Sequence, residues 1–502
     1  PRHKALARED ITVLGVPLAK MCNERFEDAR ARILMKNVAY VGVLAALLDI
    51  ELDVIRDLVH ETFSRKPKMI DANLTAIELG HDYARTHFDC PLPLHAKRMN
   101  ATNGHIVIDG NTAAALGCLY AGASVGAWYP ITPSTSLMDA FKELCDRYRR
   151  DPKTGQKQYL IVQAEDELAA IGIVLGASWS GARAFTPTSG PGISLMNEFL
   201  GYGYYAEVPA VVFDVQRVGP STGMPTRTQQ GDLLACAYAS HGDTKHVMVF
   251  PADPEECFEL TVAAFDLADR LQTPVFVMSD LDIGMNEWMC RELQWDDAYR
   301  PDRGKILDSE ALEKIERFYR YDDVDGDGIC YRSLPGSHSK GAFFTRGSGH
   351  DNRGEYTEDP EEYRLVLDRL SRKSETAATL VPKPVVRKAA SETPIGVISI
   401  GSCDGAVLEA LDCLAADGWE LDYIRVRGFP FGEELDEFID AHETLFVVEQ
   451  NRDAQLKTLI VNETGTRPDK LRSVLHYDGL PLESSTVADG IARALESKGA
   501  AA

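Results

Sequence analysis

The sequence predicts an α/β protein built on parallel sheets: a larger α/β domain at 99–295, a smaller one at 394–502, and helices at 1–98 ahead of both. Three observations predict it. Between 99 and 295 the short apolar runs "YLIVQA", "ARAFTPTSG", "PAVVFDV" and "PVFVMSD" alternate with helical spacing, the rhythm of strands joined by crossover helices. From 394, "PIGVISIGSCDGAVLEALDCLAADG" reads as strand, glycine turn and helix, and "ELDYIRVRGFPF" and "ETLFVVEQN" continue the pattern. Before 98, "NVAYVGVLAALLDIELDVIRDLVHETF" and "DANLTAIELGHDYA" carry the apolar spacing of buried helices. The stretch 296–393 is rich in Asp, Gly, Arg and Ser and is expected to be an irregular insertion closing on a linker, "LVPKPVVRKAASETP".

Composition bounds the function. With 53 basic against 77 acidic residues the chain carries a net charge of -24, which disfavours attraction to nucleic acid or an anionic membrane. Ten cysteines are scattered from Cys22 to Cys413 with no pair at two-residue spacing, so no zinc or iron–sulfur site is expected in this chain. Reduced thiols of this kind fit a cytoplasmic protein. Residues 113–131 are uncharged over a length that raises the question of a membrane span, but they are rich in small residues and end at prolines. A packed helix followed by a strand fits them better. No signal peptide is recognisable, and the first residue is not Met, so further residues upstream are expected.

Four stretches in the larger domain carry the chemistry, each at the end of an expected strand. In "AWYPITPSTSLMDAF" two prolines fix a stiff elbow from Tyr129 to Pro133, and Thr132 or Ser134 is placed to cap a helix beginning near Leu137. A rigid turn that holds a hydroxyl at a sheet edge is also how ligand sites are made. In "QAEDELAAIGIVLGAS", Glu165, Asp166 and Glu167 open a helix, where acidic residues suit the positive end of the dipole. Helical counting puts Glu167 on one face with Ala170, Ile171 and Val174, which turns its carboxyl towards a packed surface, a setting suited to proton transfer. "TPTSGPGISLMNE" brings Gly190, Pro191 and Gly192 to a strand-to-helix turn that a ligand could approach. "DVQRVGPSTGMPTRTQQGDLL" is a polar loop whose Arg217, Thr226 and Arg227 suit a carboxylate or phosphate, or else a solvated surface.

Taken in order, "YPITPST", "QAEDELAAIG", "TSGPGISLMNE" and "DVQRVGPSTGMPTRTQQGDL" resemble the α subunit of 2-oxoacid:ferredoxin oxidoreductases, the 2-oxoglutarate type most of all. "GICYRSLPG", "TRGSGHDNRGEYTEDPE" and "FVVEQNRDAQL" fit as well, and 1–98 looks like the end of the γ domain fused ahead of α in such enzymes. The resemblance implies a thiamin diphosphate-fold pyrimidine-type domain at 99–295 and a transketolase C-terminal-like domain at 394–502. It implies thiamin diphosphate shared with a β subunit that carries Mg²⁺ and a [4Fe-4S] cluster, ferredoxin as electron carrier, 2-oxoacid and coenzyme A as substrates, and an (αβ)2 assembly. By motif position, Glu167 matches the glutamate that hydrogen-bonds the pyrimidine ring and promotes ylid formation, the alternative register, Glu165, fitting the following Ala-Gly spacing less well, while Tyr129 and Pro130 match residues beside the cofactor. Thr132 and Arg217 match residues that meet the oxoacid, and Thr226, with Arg227 beside it, falls where its far end is read.

Two decoys are set aside. "DVDGDGICYRSL" places Asp323, Asp325, Asp327 and Gly328 at calcium-loop spacing, but Leu334 stands where a bidentate glutamate belongs. The same "GDG", with Asn352 beyond it, mimics a diphosphate motif yet follows no apolar strand. A self-sufficient transketolase-like enzyme is therefore not expected. Pyruvate or branched-chain 2-oxoacids, or a non-catalytic assembly subunit of the same fold, are the alternatives to 2-oxoglutarate chemistry. Thr132, Glu167 and Arg217 occurring together argue against the non-catalytic reading.

Overall fold

The structure is a computed structural model, and it describes residues 11–499. The chain divides into two compact units, 1–103 and 104–502.

The first unit is helical, with helices Leu18–Arg25, Ala29–Leu48, Leu52–Thr62 and Ile70–His87. Asp28 caps the second by accepting from Ala31 N at 2.7 Å, which satisfies one of its free amides. Gly42 and Gly80 bring two helix backbones into contact: a Cβ on Gly42 would sit 1.9 Å from Ile77 O, and one on Gly80 1.8 Å from Ala39 O. Ala29–Leu48 is the one helix among the described residues long and apolar enough to cross a membrane, and within this unit its small-residue face is packed against Ile70–His87. Residues 113–131, which raised that question in the sequence, are instead divided between a helix, Gly110–Tyr120, and a strand.

The second unit contains three sheets among its described residues. In chain order the strands are β1 (His105–Asp109), β2 (Val125–Trp128), β3 (Leu160–Gln163), β4 (Ala184–Thr188), β5 (Ala210–Gln216), β6 (Val247–Val249) and β7 (Pro274–Asp280). They continue with β8 (Glu287–Arg291), β9 (Val385–Arg387), β10 (Ile395–Ile400), β11 (Asp422–Val426), β12 (Gly428–Phe429), β13 (Thr444–Glu449) and β14 (Leu471–Leu475). The large sheet runs β12-β6-β7-β5-β4-β2-β3 and is parallel except for β12. Every residue of β5 and β7 is buried, as expected of strands covered by helices on both faces. The smaller sheet runs β14-β13-β10-β11-β9, with β9 antiparallel, and β1 and β8 form a separate antiparallel pair.

The segment 296–393 is more ordered than its composition suggests. It holds helices Ser309–Lys314 and Pro360–Leu380, and the expected linker contains β9, which pairs with β11. The signals for the long helix are in the sequence: Asp359 accepts from Glu361 N and Glu362 N, Pro360 opens the first turn, and Val366, Leu370 and Ala377 form the buried stripe. Its charge obscured them. Much of that charge is used inwardly, because Arg369 and Lys373 reach the buried Glu207 at 2.6 and 2.9 Å. Burial works against the Glu207 charge, yet these two cations hold its carboxyl below the usual carboxylate range. "GICYRSLPG" is anchored in the same way: Arg332 reaches Asp269 at 2.7 Å, a carboxylate that also takes Arg183 and Arg303 at 2.8 Å each. The calcium-like loop is held by protein groups, with Asp325 and Asp327 paired to Lys305 and Asp323 accepting from the amides of Gly326 and Gly328.

Candidate active site

The elbow after β2 is built by hydrogen bonds that converge on two carbonyls. Ile131 O accepts from the amides of Ser134 and Thr135 and from both of their hydroxyls. Pro133 O accepts at 2.9 Å from Asn111, a buried side chain that also donates to Ser136. The following helix begins at Thr135, two residues earlier than the sequence suggests, and neither candidate cap is used. Ser134 stands at the cap position but turns its hydroxyl back to Ile131 O, and the Thr132 hydroxyl has no hydrogen-bond partner among the described residues. Pro133 has no amide to offer, so the turn is closed by the carbonyl of Ile131 instead. Tyr129 and Pro130 are exposed at the mouth of the elbow. Because Thr132 is not a cap, Thr132→Ala is expected to change stability by less than about 0.5 kcal/mol, where loss of a true cap typically costs about 1. Matched melting curves of Thr132→Ala and Thr132→Ser measure this, and a deficit in the alanine variant alone would restore the capping role.

At the end of β3 the three acidic residues divide. Asp166 is the helix cap, accepting from Ala169 N at 2.7 Å, and Glu165 is exposed. Glu167 opens the helix Glu167–Trp179 at 5% exposure, on the buried face it shares with Ala170, Ile171 and Val174. No hydrogen-bond donor among the described residues reaches its carboxylate. Beside it, Gly192 has no room for a side chain, since a Cβ would meet Thr188 Oγ1 at 1.9 Å and Glu167 Cγ at 2.9 Å. The residue is buried while its carboxylate is left without a protein donor, an arrangement open to a ligand that brings one.

Arg217 ties the third stretch to the first. Just beyond β5, its guanidinium donates to Thr132 O at 2.6 Å and to Thr222 O at 3.2 Å, while Nε is buried with no partner. Burial lowers its pKa from the usual arginine value. Arg217 lines a cavity of about 560 Å³ together with Gly190, Pro191, Ser194, the 218–221 turn, Asp232, Asn451, Arg452 and Tyr477. Thr226 and Arg227 are not brought there. They sit exposed on the loop, with Arg227 donating to Thr226 O at 2.8 Å. Glu167, Thr132, Tyr129 and Pro130 also lie outside the walls of this cavity, although Arg217 bonds directly to the elbow.

The sequence reading missed the smaller sheet's share. "FVVEQNRDAQL" clamps the loop that follows β5: Gln450 O accepts from Gln230 N, Asn451 donates to Gln230 O, and Gln455 bonds both Gly231 O and Leu234 N. Beneath it, buried Asp280 accepts from Ser402 and Gln230, and Gln450 donates to Ser402 at 2.7 Å. Burial pushes the Asp280 carboxyl up to about 6. A run of Gln, Asn and Asp beyond a buried strand was the available signal, since such side chains leave water only when something accepts them. The ten cysteines are free thiols, and among the described residues no three His, Cys, Asp or Glu side chains form a group able to hold a metal ion.

A parallel sheet with polar groups across its strand ends, walled on one side by a second α/β sheet, defines an α/β protein with a ligand cavity at the strand ends. Residues 116–300 match the family model described as "Pyruvate flavodoxin/ferredoxin oxidoreductase, thiamine diP-bdg", and 1–83 match "Pyruvate ferredoxin/flavodoxin oxidoreductase". The α subunit of 2-oxoacid:ferredoxin oxidoreductase 2 from Aeropyrum pernix is 34% identical, over 97% of this chain and 76% of its own. The KorA subunit of 2-oxoglutarate synthase from Methanothermobacter marburgensis is 35% identical, over 68% of this chain and 87% of its own. Among solved structures, 2-oxoglutarate:ferredoxin oxidoreductase from Magnetococcus marinus, with 2-oxoglutarate, coenzyme A and succinyl-CoA bound, superposes with a TM-score of 0.85 at 27% identity, covering 97% of this chain and 81% of that one. The chain belongs to the family of 2-oxoacid:ferredoxin oxidoreductase α subunits.

Proposed function

We propose that this chain, with a β subunit, interconverts 2-oxoglutarate and succinyl-CoA in the cytoplasm. In the oxidative direction 2-oxoglutarate and coenzyme A give succinyl-CoA, CO2 and a proton, and two electrons pass to ferredoxin. The observation that carries the reading is Glu167: a buried residue whose carboxylate has no protein donor, held against Gly192 on a helix that starts one strand from the elbow. Glu167 fits the ring nitrogen of thiamin diphosphate, with Tyr129 and Pro130 beside the ring. When bound, thiamin diphosphate supplies the carbanion that attacks the keto carbon and takes up the electrons released on decarboxylation. Its diphosphate, Mg²⁺ and the [4Fe-4S] cluster belong in this reading to the β subunit, in an (αβ)2 assembly.

This chain's own part is to hold and orient. Arg217 fixes the elbow through Thr132 O and keeps Nε for an incoming acid, so the guanidinium that shapes the turn also counters a substrate carboxylate. The Thr132 hydroxyl, free of protein partners, is available to the oxoacid. Arg452, also on the cavity wall, is paired with Asp453 at 2.7 Å and would have to leave it to meet a second carboxylate; the names of the KorA relatives and of the Magnetococcus enzyme support 2-oxoglutarate over shorter acids. Thr226 and Arg227 would have to turn inward to read the acid's far end.

The test is to co-purify the chain with its β partner and measure coenzyme A-dependent dye reduction on 2-oxoglutarate, pyruvate and branched-chain 2-oxoacids. A kcat/KM for 2-oxoglutarate at least about tenfold above the others is expected, since a site that pairs a second carboxylate discriminates strongly against acids lacking it. A preference for pyruvate or a branched-chain acid overturns the substrate, and no activity on any acid overturns the enzymatic role.

A further inference from the structure

Behind the cavity wall lie two carboxyls that the proposed reaction does not use. Asp214 is on β5 and fully buried, and Asp232 lies within the clamped loop and reaches the cavity. Asp214 Oδ1 and Asp232 Oδ2 are both buried, and neither has a donor in the protein. Asp232 is tied to β5 by its amide, which donates to Gln216 two residues along the strand from Asp214 and on the same face, and each carboxyl bears on the other's charge. Two carboxylates cannot lie in contact without water and both remain charged, whereas one proton between them gives each orphan oxygen a partner.

We propose that Asp214 and Asp232 form a carboxyl pair that holds one shared proton and, through its single negative charge, positions Arg217 at the cavity. The surroundings fit this role. Arg217 supplies the positive charge bearing on Asp232, and the Cys236 thiol donates to Asp214 Oδ2 at 3.7 Å. Gln216 Oε1 accepts from Asp232 N at 3.1 Å, which fixes that backbone. From the helix Gly190–Tyr205 the first turn presses on the pair, because a Cβ on Gly190 would fall 2.6 Å from Asp232 Oδ2. The positive end of that helix favours one negative charge on the pair. Burial pushes Asp232 up to about 6, and burial together with Asp232 raises Asp214 well above the usual carboxylate range.

The signs follow from linkage. Both folded pKa values lie above that of an unfolded aspartate, about 3.9, so the folded chain binds more protons and stability falls as pH rises. Both shares begin to fall above the unfolded value; the Asp232 share is gone by about pH 6, while the Asp214 share goes on falling to higher pH. For activity the direction is opposite. Below about pH 6 the pair takes its second proton and Arg217 loses its counter-charge.

The role of the pair for Arg217 rests on the proposed function; its shared proton does not, and the test reads the two separately. In the complex with the β subunit, the wild type should show a protonated-carboxyl infrared band at neutral pH. Its kcat/KM should fall about tenfold per pH unit below the inflection, as for loss of one required charge. Asp214→Asn keeps the shape and donates an amide hydrogen to Asp232, so it should abolish the band, displace the inflection and flatten the fall of the melting temperature from about pH 4 to about pH 8. Asp232→Asn should remove the inflection and, as a separate variant, decides the matter if Asp214→Asn does not fold. A band and melting profile unchanged in both variants overturn the shared proton. A displaced band with an unchanged pH–rate profile overturns the role at Arg217. If the wild-type complex turns over no 2-oxoacid, the functional reading fails, while the band and melting profile still decide the pair.

Discussion

Glu167→Gln is expected to leave the chain folded and bound to its β subunit while lowering turnover by about two to four orders of magnitude, the usual range for lost acid–base assistance. The substitution keeps the volume at a site where Gly192 leaves no slack. It therefore removes charge without opening a cavity, and stability should change little. Glu165→Gln is the internal control. Its side chain is exposed, while the carboxyl of Glu167 is on the packed face, so the Glu165 variant should stay close to wild type. Rates for the two variants measured at matched thiamin diphosphate saturation check this, and equal rates would remove Glu167 from the chemistry.

The second large effect belongs to Arg217. Arg217→Met is expected to lower kcat/KM on the 2-oxoacid by about 30- to 5,000-fold, the equivalent of about 2–5 kcal/mol for a desolvated charge pair broken on one side. Two losses combine: the counter-charge for the acid, and the bonds to Thr132 O and Thr222 O that hold the elbow against the loop. Arg217→Lys separates them, since an ammonium restores charge but cannot reach two carbonyls in a planar fork. A lysine variant that recovers most of the loss assigns the role to charge, and one as impaired as methionine assigns it to geometry. Full activity in Arg217→Met would remove the residue from the site.

How much of this was legible in the sequence depended on the range of the forces involved. The alternation of "PAVVFDV" and "PVFVMSD" with helical spacing located β5 and β7, because burial on both faces leaves a continuous apolar run. The inward face of Glu167 followed from counting along one helix, and its burial agrees with that count. The use of Thr132 did not follow. A hydroxyl before a helix reads as a cap, and only the fold reveals that Ile131 O closes the turn. The helix Pro360–Leu380 was hidden because Arg369 and Lys373, which look like surface charges, answer a glutamate more than 150 residues away. The clamp of Gln450, Asn451 and Gln455 on 230–234 was equally invisible, being made between segments more than 200 residues apart.

One short strand has a consequence for how the second unit can come apart. β12 leaves the smaller domain to pair with β6, covering what would otherwise be a bare row of amides and carbonyls at the margin of the large sheet. Uncovered margins of that kind recruit other chains and seed aggregation. With Phe429 fully buried at that seam, the smaller domain acts as a built-in guard for the larger one. A chain cut between the two domains is expected to bare that margin, so the larger domain should aggregate when produced without the smaller.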